Sequence, residues 1–65
     1  MEVGDQVKYN PGLQRSALPE RRNKQGTVIR VWKYPTNIVR LNVRFGENDV
    51  DEGVSATEFM SWGDQ

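Results

Sequence analysis

Residues 38–45 leave little choice of structure. In Ile38-Val39-Arg40-Leu41-Asn42-Val43-Arg44-Phe45, the apolar Val39, Leu41, Val43 and Phe45 alternate with the polar Arg40, Asn42 and Arg44. A period of two puts each set on its own face, so the segment reads as a strand with one buried side. The stretch before it, Gly26-Thr27-Val28-Ile29-Arg30-Val31-Trp32-Lys33-Tyr34, also reads as a strand, with a less regular pattern. Ile29 and Val31 share one face, while Val28, Trp32 and Tyr34 share the other. Two arrangements accommodate this: a small closed barrel that buries parts of both faces, or a bulge that switches the register midway. Pro35-Thr36-Asn37 suits a turn, which makes the pair a hairpin.

The rest of the chain fits an all-β domain. Valine, isoleucine and threonine supply 13 of 65 residues against two alanines, a mixture suited to pleated surfaces. Asp5-Gln6-Val7-Lys8-Tyr9 reads as a short first strand with Val7 and Tyr9 inward. A long loop over residues 10–24 follows Asn10-Pro11-Gly12. Leu13, Ala17 and Leu18 are its candidate anchors, and Pro19 breaks any continuous helix. After the turn Gly46-Glu47-Asn48-Asp49, a fourth strand is expected from Val50 to about Val54, with Gly53 at a bulge or bend. Ser55-Ala56-Thr57-Glu58 has capping-box spacing, in which Ser55 accepts from the third backbone amide and Glu58 reaches back. One short helical turn is expected there. A short final strand comes next, with residues 63–65 frayed.

Charge is divided unevenly. Residues 1–46 hold all nine basic side chains and three acids, while residues 47–65 hold six acids and no base. The net is zero, so the halves either pair internally or form two opposed faces. The chain has no cysteine and no histidine, which removes disulfides, thiolate nucleophiles, the usual zinc ligands and the commonest general base. No stretch is apolar enough to span a membrane and residues 1–15 lack the layout of a signal peptide, so a cytoplasmic location is expected.

The order strand, long loop, strand, turn, strand, turn, strand, helical turn, short strand resembles the SH3-like barrel. It is most similar to KOW-type domains of transcription and translation proteins. Gly4-Asp5-Gln6-Val7 resembles that family's Gly-Asp-x-Val opening, and Lys24-Gln25-Gly26-Thr27-Val28 its second strand, whose leading glycine permits close backbone approach. The resemblance implies one five-stranded barrel over the whole chain, and binding to nucleic acid, ribosomes or partner proteins. Type II dihydrofolate reductase shares the barrel, but its Val-Gln-Ile-Tyr stretch is replaced here by Val50-Asp51-Glu52-Gly53, so the resemblance carries no activity over.

Two regions are candidate binding surfaces. If Ile29 and Val31 are buried, Arg30, Trp32 and Tyr34 face the same way as Arg40, Asn42 and Arg44. Indole and phenol rings then offer stacking surfaces beside guanidinium groups that hold phosphates. If instead those rings belong to the core, the arginines serve only to solubilise the sheet. The long loop adds Arg15, Arg21, Arg22 and Lys24 as a basic arm, able to neutralise phosphates or to meet an acidic protein surface. Glu47, Asp49, Asp51 and Glu52 lack calcium-loop spacing and read as a charged turn guarding a sheet edge. The expected function is a non-catalytic binding module without cofactor or metal, monomeric or weakly self-associating. Its expected partner is nucleic acid or a nucleoprotein, with docking to an acidic protein surface as the alternative.

Overall fold

The period-two segment forms the middle of an antiparallel sheet. In a computed structural model that describes residues 1–33, 35 and 37–63, the strands are β1 (Gln6–Tyr9), β2 (Gly26–Trp32), β3 (Arg40–Gly46), β4 (Asp49–Ser55) and β5 (Phe59–Ser61). Their order in the sheet is β4-β3-β2-β1-β5. Two 3-10 turns, Arg15–Ala17 and Ala56–Glu58, complete the regular structure. The expected Pro35-Thr36-Asn37 turn falls partly outside the described residues, as does Tyr34, and so do Asp64 and Gln65 of the expected frayed end.

Alternation decides the core. Val7 and Tyr9 of β1, Leu41, Val43 and Phe45 of β3, and Val28, Val54 and Phe59 are buried together. The Tyr9 ring stacks on Phe59 and Phe45, with centroids 4.4 and 5.8 Å apart. The sheet therefore curls over one apolar face. Tyr9 donates its hydroxyl proton to Asp51 of β4, although β2 and β3 lie between those strands in the sheet. Backbone pairing between β4 and β5 is absent among the described residues, so the five-stranded all-β sheet expected from the sequence is present but not closed.

Gly26 opens β2 at a crowded point. A Cβ there would lie 2.5 Å from Val43 Cγ1 and 2.8 Å from Phe45 Cε1, inside van der Waals contact. Only glycine lets β2 pass this close to the inner side chains of β3.

The bulge arrangement of β2 is the one realised. Val28 pairs with Val43, the register then shifts, and Arg30 pairs with Asn42, Val31 with Leu41 and Trp32 with Arg40. Ile29 is the extra residue. The face of β2 that the sequence left open is thus settled, and neither face is buried whole: Ile29 is exposed, Val28 is fully buried, and Val31 is half-buried against the core. One inserted residue keeps Val28 and Val31 on the same side despite their odd spacing.

The long loop departs from expectation in its anchors. Leu13 packs against the core, but Ala17 and Leu18 are exposed and Arg21 is the buried residue. At the other end, Ser55 caps its turn by accepting from the Thr57 amide at 3.3 Å, not from that of Glu58. The tighter 3-10 winding brings the second amide into reach.

Candidate functional site

Two groups of arginines, alike in sequence, occupy opposite physical settings. The inner group centres on Arg21. Its Nε and Nη2 donate to Asp51 at 3.0 and 2.8 Å, its Nη1 and Nη2 donate to Asp49 at 2.8 and 2.7 Å, and Nη1 also reaches the Glu20 carbonyl at 3.0 Å. All five guanidinium N–H groups are therefore used. The plane lies 4.3 Å from the Phe45 ring centroid, and Arg21 is only 7% exposed. Arg15 adds a 3.3 Å bond to the Tyr9 hydroxyl and a 3.7 Å ion pair with Asp51.

The titration behaviour of this cluster follows from the contacts. The hydrogen bonds from Arg21 hold the Asp49 and Asp51 carboxyls below the usual carboxylate range. Burial, reinforced by the bond to Asp51, pushes the Tyr9 hydroxyl up to about 12. Arg21 itself is locked in its charged form by the two carboxylates. The sequence expectation that Arg21 belongs to a phosphate-gripping arm is corrected here: it has no donor left, and its charge is answered by two carboxylates. Asp49 and Asp51, read as a charged turn, are its partners. No sequence signal marks a pairing between positions so far apart in the chain, beyond the opposed charges of the two halves.

The outer group lies on the solvent face of β2 and β3. Beyond the bulge at Ile29, the side chains of Arg30 and Trp32 emerge beside Arg40, Asn42 and Arg44. The Arg30 guanidinium carbon sits 4.9 Å from the Trp32 ring centroid, within cation–π distance. Trp32 is half-buried, and its Cζ2 would be 4.0 Å from a Cβ built on Gly53, which places the indole toward β4. Gly53 has φ +67, and two outer-face side chains hold it: Arg40 Nη1 donates to its carbonyl and its amide donates to Asn42 Oδ1, both at 2.9 Å. Arg40 is thus partly committed to the fold. Among the described residues, no carboxylate pairs with Arg30, Arg40 or Arg44.

One end of this face carries residues that sequence reasoning passed over. Gln6 on β1 lies opposite Thr27 on β2, and Gln6 Oε1 accepts from Gln25 Nε2 at 2.9 Å and from the Thr27 hydroxyl at 3.1 Å. Gln6 and Thr27 have only their place on the polar phase of two strands as a signal in the sequence, which every exposed strand residue shares, and Gln25 directly precedes β2.

The remaining predicted residues are scattered. Arg22 and Lys24 are exposed on the loop, and Arg22 reaches back to the Ala17 carbonyl at 3.4 Å. Tyr34 lies outside the described residues. Among the described residues no group of three acidic side chains is placed to hold a metal, and no helix is long and apolar enough to cross a membrane. No family, curated protein or solved structure matches the chain.

Proposed function

We propose that this chain is a non-catalytic binding module of the SH3-like type that takes single-stranded nucleic acid across the outer face of β2 and β3. One observation carries the reading: an Arg30–Trp32 pair stands on a solvent face with two further arginines, none of them answered by a carboxylate among the described residues. Unpaired guanidinium groups keep their full attraction for phosphates, and an indole beside them offers a stacking surface that tolerates any base. The strand order and the strong curl of the sheet support the SH3-like reading. Arg22 and Lys24 contribute from the loop as screened, sequence-independent charge, while Arg21 contributes only to the fold.

Fluorescence of Trp32 in a Trp62→Phe background, titrated with single-stranded RNA and DNA at low and moderate salt, tests the proposal. Quenching that weakens linearly in log affinity against log salt is the expected result. Absence of binding at low salt ends it. A second reading, docking to an acidic protein surface, draws on the zero net charge and isoelectric point near 6.2, which lower long-range attraction to a polyanion. Flat fluorescence with oligonucleotides, together with salt-dependent binding to an acidic protein that Trp32→Ala leaves intact, favours it.

A further inference from the structure

Resting on the nucleic-acid reading, we propose that the groove at the Gln6–Gln25–Thr27 end of this face selects bases whose Watson–Crick edge sets an amino group beside an acceptor ring nitrogen, adenine or cytosine, over uracil. The groove is open, about 510 Å³, and lined by those three residues together with Arg44, Phe45, Gly46 and Glu47. Gln6 acts as the organiser: its carbonyl oxygen accepts from both Gln25 and Thr27, and its amide nitrogen donates to the Gly4 carbonyl at 3.3 Å. One N–H of Gln25 is thereby spent. Its carbonyl oxygen and second N–H remain, a paired acceptor and donor set in one plane.

That pair matches an edge with an amino donor beside a ring-nitrogen acceptor, as adenine and cytosine present. Uracil also offers a donor and an acceptor, so Gln25 alone discriminates poorly. Glu47 supplies the discrimination. Its carboxylate only accepts, so it welcomes the second amino proton of adenine or cytosine and opposes the keto oxygen of uracil. Arg44, opposite Thr27 in the ladder, is placed to hold an adjoining phosphate. The distance from Thr27 to Trp32 along β2 is about 16 Å, so a short oligonucleotide reaches both the groove and the indole.

The experiment compares an all-uridine hexanucleotide with strands that carry adenosine or cytidine at successive single positions. At one position the amino bases are expected to bind about tenfold tighter than uridine, the worth of one good paired contact. Gln25→Ala, which removes the paired contact that seats a base against Glu47, is expected to abolish that preference and to weaken the all-uridine strand too, by less than it weakens the strands carrying an amino base. Glu47→Gln, which adds a donor where the keto oxygen sits, is expected to narrow the preference without weakening uridine binding. Both positions are exposed, and thermal melts confirm that the variants fold. Equal affinity at every position, or a preference that survives Gln25→Ala, overturns the inference while the binding surface stands. Failure of every strand to quench Trp32 at low salt overturns the surface as well.

Discussion

Arg21 and Arg30 are the same residue type in chemically opposite states. Arg21 uses every N–H it has and covers an aromatic ring in the core; Arg30 covers an aromatic ring on the outside and meets no carboxylate among the described residues. The first has been removed from water, so its cost is recovered only through a complete set of partners. The second keeps its hydration and its charge, which remain available to a ligand. Basic residues in a sequence are thus no measure of a binding surface. What counts is how many are left after the chain's own carboxylates have been answered.

The largest effect should come from breaking the inner pair. Arg21→Ala leaves the Asp51 side chain, 17% exposed, without its main partner, and is expected to lower stability in urea unfolding by about 2–4 kcal/mol. The lower end reflects Asp49, which is open to water and can rehydrate. A loss within 0.5 kcal/mol, about what an ordinary surface substitution costs, would erase the contrast with Arg30.

Acid probes the same pair without mutation. Asp49 and Asp51 titrate below their unfolded value of about 3.9, so their contribution is present above that pH and is lost as pH falls through the folded values. Melting temperature should drop on that limb, and Arg21→Ala should flatten it whereas Arg30→Ala leaves it unchanged. Alkali has the complementary sign. The Tyr9 hydroxyl, pushed up to about 12, favours the folded state fully below the ordinary tyrosine value near 10, and this preference is lost as pH rises through 12.

Smaller effects belong to packing and to the outer face. Gly26→Val drives methyl groups into Val43 and Phe45 and is expected to cost about 1–3 kcal/mol of stability by chemical denaturation. Trp32→Ala should cost about 1–3 kcal/mol of oligonucleotide affinity. Arg44→Ala should change stability by less than about 0.5 kcal/mol and lower the slope of log affinity against log salt by about 1. If Arg21→Ala, measured on the folded fraction, lowers that slope as much as Arg44→Ala does, the division into inner and outer arginines fails.

Strand identity was legible in the chain wherever one face is buried, because alternation is a local property. Val39, Leu41, Val43 and Phe45 announce β3, and Val7 and Tyr9 announce β1, without reference to anything distant. The glycine at position 26 and the bend at Gly53 were likewise readable, since small residues in strands mark crowding or irregular backbone. In β2 the local pattern supported two phases, and only pairing with β3 decided between them. Val28 opposite Val43 and Val31 opposite Leu41 force Ile29 outward and thereby bring Arg30 and Trp32 to the same surface.

Charge was the least readable property. Nine bases and nine acids could be counted and their uneven distribution seen, but not which of them cancel. That depends on distances between residues some 30 positions apart, which follow from the curl of the sheet and the path of the loop. Local periodicity therefore determined the strands and most of the core, since each residue's phase is set by its immediate neighbours. Tertiary structure alone decided that Arg21 turns inward to Asp49 and Asp51 while Arg30 stays out, because Coulomb energy and desolvation act through space, not along the chain.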